Sequence, residues 1–196
     1  VFDCQWLLRF KNLQSLFLGK LDKNLEAIVR LSQLRELELR SVKNKDLSFL
    51  KQMPINDLSI WWCDGSKIDL TTLSDFRTLR QLRLIRISKL DDISFVSTLT
   101  GLERLDLILL ANITKMPNLA NLNKLTEVYI DNLNKLVDIT SLVNAKKLRK
   151  VVMSGVKSMT KESVYAVLDN PNVEELRCFG GKSEISDIQI NRKNKE

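Results

Sequence analysis

Three cysteines, Cys4, Cys63 and Cys178, are the strongest nucleophiles in this 196-residue chain, and its 24 carboxylates are the candidate acids and bases. Histidine, which would ordinarily activate either, is absent. Ser-His-Asp and Cys-His catalysis are therefore excluded within the chain, together with the commonest metal ligand. The cysteines are odd in number and widely spaced, with no CxxC motif, and read as free, buried thiols. Cys63 and Cys178 fall at core-like strand positions, where thiols are usually inert. Carboxylates such as Asp106 and Glu127 would fall close enough to pair if their segments lay as neighbouring strands of one open sheet, but such a sheet offers no water-excluding pocket for acid–base work. Glycine-rich phosphate loops and metal-ligand clusters are also missing from the sequence. No catalytic residue, metal or cofactor is assigned, and the chain reads as a non-enzyme.

What could position a site is a repeat. The composition, 44% hydrophobic and 28% charged, is globular, and 35 of the 196 residues are leucine. The pattern φxxφxφ, with φ apolar, begins at Leu13, Leu34, Ile55, Leu79, Leu102, Leu125, Leu148 and Val173, at intervals of 21 to 25 residues. The φxφ end alternates with period two and predicts a short strand with one buried face. A further apolar residue follows three positions after the last φ, at Leu21, Val42, Cys63, Ile87, Leu110, Leu133 and Val156. Beyond it the apolar spacing is close to three, as in Leu133, Leu136, Ile139 and Leu142, which suits 3-10 turns better than α-helix. A single such unit cannot bury its apolar side, but stacked units can. Two returns read differently. Thr160–Leu168 carries a Thr N-cap and helical spacing, predicting an α-helix, and Leu25–Arg30 is expected to form another.

The strand pattern, its period and the leucine surplus resemble the leucine-rich repeat superfamily. The returns Leu90–Val96 and Leu136–Leu142, with their Asp-Ile-Ser and Asp-Ile-Thr cores, resemble those of internalin-like bacterial repeats. The resemblance implies an α/β right-handed solenoid of about eight repeats, with a concave parallel sheet and convex 3-10, irregular or short helical returns. It also implies a protein-binding role for the concave face. One departure stands out. The family often places Asn at the ninth motif position, where it bonds the turn, whereas this column is apolar apart from Cys63. Residues 1–181 are expected to form the repeat domain, with 1–12 as the return half of an earlier repeat in a monomeric fragment of a larger protein. Residues 182–196 are expected to be a C-terminal cap or a flexible tail. Ile185, Ile188 and Ile190 either cover the last repeat or belong to that tail.

Outward positions three, five and seven of each strand should form rows along the concave face. Position seven places Trp61, Ile85 and Ile108 consecutively on a face left open to water, with Trp62 and Leu109 extending the row and Tyr129 diagonal to Ile108. Arg83, Asp106, Glu127, Asp131 and Glu38 lie around them. An apolar patch with a charged rim has the composition of an interface centre, and Trp and Tyr are favoured anchors. The competing expectation is that Trp61 or Trp62 packs over the longer loop of the third repeat. Phe17 and Phe179 are either concave contacts or capping residues.

The formal net charge is +7, yet the 24 predicted concave positions carry five basic and seven acidic residues, so the surplus lies elsewhere. Acid-free stretches run from Arg77 to Lys89 and from Lys146 to Lys161. They read as a solvated basic flank, as a polyanion or nucleic-acid site through repeats four and seven, or as steering for an acidic partner. The protein-partner reading is preferred, and nucleic acid is disfavoured because aromatic and basic residues do not interleave. No apolar run reaches the roughly 18 residues of a membrane span. Free thiols suit a reducing compartment such as the cytoplasm but do not exclude secretion.

Overall fold

A computed structural model of the chain describes residues 2–19, 23–181, 185 and 187–192. Each φxxφxφ copy forms one strand: β1 (Ser15–Leu18), β2 (Glu36–Arg40), β3 (Asp57–Trp61), β4 (Gln81–Ile85), β5 (Arg104–Ile108), β6 (Glu127–Asp131), β7 (Lys150–Ser154) and β8 (Glu175–Phe179). The eight pair in chain order and in parallel. The register aligns motif positions: Leu58, Leu82 and Leu105 are successive partners, as are Ile60, Leu84 and Leu107. These rows are fully buried. Each leucine so removed from water contributes roughly 1.5–3 kcal/mol, which is why the motif fixes the register.

The returns run antiparallel to the strands, mostly as 3-10 helices that pack on one another. Leu25–Arg30 is a 3-10 helix, not the α-helix expected from its sequence. Its bonds span three residues, with the Ala27 and Leu31 N–H groups donating to the Asn24 and Ile28 carbonyls at 3.1 and 2.8 Å. A short repeat must return over the strand length in few residues. The 3-10 rise of about 2.0 Å per residue does so where the α-helical 1.5 Å does not. The period also brings Leu25, Ile28 and Leu31 to the core together. The longest repeat can hold a true helix, α1 (Lys161–Ala166), capped by the Thr160 side chain as predicted.

The aspartates of the Asp-Leu-Ser, Asp-Ile-Ser and Asp-Ile-Thr returns start each turn. Asp46, Asp92 and Asp138 Oδ1 accept from the backbone N–H two residues on, at 2.7, 2.7 and 2.8 Å. Such Asx turns compete well with regular structure in short connections. Where two returns meet away from water, buried Asn170 ties them. Its amide donates to the Leu142 and Ala145 carbonyls at 3.3 and 3.0 Å. Gly101 is required by close approach, because a Cβ there would run into the Arg77 carbonyl of the preceding repeat.

The apolar ninth column leaves the turn after each strand without a side-chain partner, and the backbone supplies one instead. Ser41, Trp62, Arg86, Leu109, Asn132, Gly155 and Gly180, each one residue past a strand, have φ between 51° and 62°. In all but Gly180 this left-handed twist turns the N–H group onto the next repeat: Trp62 donates to the Ile85 carbonyl at 3.0 Å and Leu109 to that of Asp131 at 2.8 Å. The conformation suits Asn and Gly but costs an L-residue such as Trp or Leu about 1–2 kcal/mol. Leu21, assigned to the ninth column, lies outside the described residues.

At the C-terminal end Ile185 is buried, and β9 (Ile188–Asn191) pairs antiparallel with β8. At the other end Phe2, Trp6, Phe10 and Phe17 are exposed.

Candidate protein-binding face

Ladder pairing sets the site. Trp61 pairs with Ile85, Ile85 with Ile108 and Ile108 with Asp131, so the three apolar side chains lie side by side about 5 Å apart. All three are half-buried. Trp61 is covered in part by Phe17, whose ring centroid is 5.7 Å away, and by Arg40 at 5.8 Å. Trp62 does not pack over the longer loop: it is 47% exposed, and Leu109 is 43% exposed beside Ile108. The left-handed twist one residue past the strand carries both side chains out of the core.

Most of the charged rim neutralises itself. Arg83 donates to both Asp57 oxygens, at 2.9 and 3.1 Å. Arg104 donates to both Asp106 oxygens, at 2.9 and 3.2 Å, and reaches Glu127 at 3.5 Å. Hydrogen bonding to Asp106, followed by its charge, raises the already high pKa of the Arg104 guanidinium. Tyr129 lies under Arg104 at 4.1 Å and faces Lys150 at 5.7 Å. The Lys150 pKa is raised, first by its hydrogen bond to Tyr129. Asp131 accepts from Asn132. Glu38 is half-buried on β2.

The ten residues singled out from the sequence are thus all on or beside one face, but in unequal roles. Trp61, Ile85, Ile108 and Trp62 present apolar surface. Arg83, Glu127, Tyr129, Asp131 and Glu38 are partly accessible. Asp106 is not a rim contact: it is 4% exposed, sealed beneath Arg104. Its pattern position points outward, but the guanidinium folds back over it. Two residues were missed. Arg40 lies 3.9 Å and Arg86 5.4 Å from the Trp62 ring, on the repeats before and after it. The signal for Arg86 is its place in the left-handed column, which the leucine pattern does not mark.

The site offers no catalytic arrangement among the described residues. The three cysteines are free and buried, and desolvation pushes each thiol above its ordinary value. No group of three or more potential metal ligands occurs among the described residues. No helix among them is long and apolar enough to cross a membrane.

No protein-family model and no curated protein sequence matches the chain. Two solved structures of internalins from Listeria monocytogenes do match it. The internalin inlF is 22% identical over 94% of this chain and 52% of its own, with a TM-score of 0.65. Internalin C2 is 21% identical over 91% of this chain and 76% of its own, with a TM-score of 0.63. The chain thus spans about half the length of the inlF structure. Together with the register of β1–β8, this likeness establishes the fold: the chain is a leucine-rich repeat solenoid of the architecture seen in internalins.

Proposed function

We propose that the chain is a non-catalytic module that binds a protein partner on its concave face, centred on Trp61, Ile85 and Ile108. The observation that carries this is the in-register apolar row itself, half-exposed and continued by the exposed Trp62 and Leu109. Around and beyond it Arg83, Arg104, Lys150 and Arg177 are already engaged with carboxylates, so the row is where a partner can remove apolar area from water. Tyr129, Arg83, Glu127 and Asp131 form the surrounding contact zone, and Asp106 acts by holding Arg104. A photo-crosslinking residue placed at Ile85 or Ile108, compared with one at the convex Ser97, tests this in a lysate of the source organism. The expected result is one discrete adduct from the two concave positions. Equal capture from Ser97, or none from either concave site, contradicts the reading.

A second reading has its own observation. A cleft of about 680 Å³ at the start of β7 is lined by Lys146, Lys147, Arg149 and Lys150, with Glu127 and Glu174. Arg149 pairs with Glu174 and Lys150 with Glu175, so Lys146 and Lys147 are the cations it offers a polyanion. The fourth-repeat half of the basic flank does not join it freely, since Arg83, Arg80 and Lys89 each pair with a carboxylate. Strongly salt-dependent binding of random duplex DNA would favour this second reading.

A further inference from the structure

The Arg40–Trp62–Arg86 stack is the part of this face that folding does not explain. Trp62 is half-exposed in a left-handed backbone position that the last three repeats fill with Asn132, Gly155 and Gly180. Its ring is flanked by a guanidinium from the preceding repeat at 3.9 Å and one from the following repeat at 5.4 Å. These two arginines differ from the others on the concave rows. Arg83, Arg104 and Arg177 each hold a carboxylate, at 2.9, 2.9 and 2.6 Å. Among the described residues neither Arg40 nor Arg86 has a carboxylate within ion-pair distance. Glu38, two residues before Arg40 on β2, does not pair with it, and Asp57 is taken by Arg83. Beside the ring opens a hollow of about 340 Å³ lined by Trp62, Cys63, Arg86 and Ser88.

We propose that this stack recognises an acidic segment of the protein partner, with an Asp or Glu carboxylate accepting hydrogen bonds from Arg40 and Arg86 beside the Trp62 ring. The charge complementarity is local: two guanidiniums without an internal counter-ion sit at one end of the apolar row. Stacking on an aromatic ring holds a guanidinium in place while leaving its N–H edge free for a carboxylate. A segment with alternating apolar and acidic residues would lay the former on Ile85 and Ile108 and the latter on the stack. Recognition of a protein, as opposed to another acidic ligand, rests on the concave-face reading above.

The test uses the whole chain and a short acetylated peptide alternating glutamate and leucine, with its glutamine counterpart and a random duplex DNA as comparators. Affinity is read by calorimetry at low salt. The glutamate peptide is expected to bind about tenfold or more tighter than the glutamine one, as charge-assisted bonds exceed neutral ones. The double variant Arg40→Gln/Arg86→Gln should erase that difference. Arg40→Lys/Arg86→Lys, which keeps charge but loses stacking and the planar fork, should restore it only in part. Lys146→Gln/Lys147→Gln should leave it unchanged. Equal binding of the two peptides, or an undiminished preference in a folded Arg40→Gln/Arg86→Gln variant, overturns the proposal. So does tighter binding of the duplex through Arg40 and Arg86. If crosslinkers at Ile85 and Ile108 capture a partner whose affinity ignores the two arginines, the acidic assignment alone falls. If the peptide preference follows the arginines while those crosslinkers capture nothing, the stack stands and the apolar-row reading falls.

Discussion

Removing Arg104 should damage the fold more than removing Asp106, and removing both should damage it less than removing Arg104 alone. Asp106 has a side chain only 6% exposed, while that of Arg104 is 38% exposed. In Arg104→Ala the carboxylate stays on the sheet with its two charge-assisted bonds gone. Breaking a fully buried pair in this way costs about 3–5 kcal/mol. Water entering the space left by the half-exposed arginine reduces this, so about 2–3 kcal/mol is expected. In Asp106→Ala the guanidinium keeps Glu127 and the Tyr129 ring and can turn to solvent, for a loss of about 1–2 kcal/mol. With both removed no charge is stranded, and the loss should be about 1 kcal/mol relative to the original chain. Urea unfolding followed by far-UV circular dichroism measures all three, provided the slopes agree. A double variant as unstable as the sum of the singles, or an Arg104→Ala variant within about 0.5 kcal/mol of the parent, would refute the argument that Asp106 is a buried support.

Other parts of the solenoid give equally definite outcomes. Asn170→Ala removes three hydrogen bonds and leaves the Leu142 and Ala145 carbonyls with only their backbone partners, so it should cost about 2 kcal/mol, against under about 1 kcal/mol for the exposed Asn172→Ala; the same urea titration compares them. Gly101→Ala forces a Cβ against the Arg77 carbonyl and should lower stability by about 1–3 kcal/mol, read as a lower thermal midpoint. Hydrogen bonds from the Ser66 side chain and backbone, with Lys89, hold Asp64 down at about 2 from an ordinary 3.8. Asp46 and Asp138 are held low by their Ser48 and Thr140 partners. Because all three folded values lie below the unfolded ones, their stabilisation is present above the ordinary carboxylate range and is lost on acidification, for Asp64 as pH falls through about 2. Acid unfolding followed by circular dichroism should therefore show a shallower pH dependence in Asp64→Asn than in the parent chain.

The strands were legible because a half-buried strand imposes period two on its own residues. Eight copies of φxxφxφ at near-constant spacing then fix which residues become neighbours, and Trp61, Ile85 and Ile108 could be aligned before any coordinates. The Asp-Ile-Ser and Asp-Ile-Thr returns were legible through their resemblance to known repeats, and the Asx turns they form involve residues only two apart. What failed depends on partners distant in sequence or on backbone twist. Leu25–Arg30 carries helix-compatible residues, and only the distance it must cover decides for 3-10. Asp106 has an outward position, and its burial follows from one conformation of Arg104. The left-handed residue after each strand has no composition signal, being Ser41, Trp62, Arg86 or Leu109 as readily as Gly155. The Arg40–Trp62–Arg86 stack joins three repeats through that twist, so the period alone does not reveal it.

Affinity of the partner captured at Ile85 or Ile108 for a Trp61→Ala/Ile108→Ala variant tests the central claim most directly. Both side chains are half-buried on the sheet surface, and the core rows beneath them are untouched, so the variant should fold and melt cooperatively. Interface anchors of this kind are each worth about 2 kcal/mol or more, so the double variant should bind about a thousandfold more weakly. A correctly folded variant that binds with unchanged affinity would contradict the assignment of this row as the partner-binding centre.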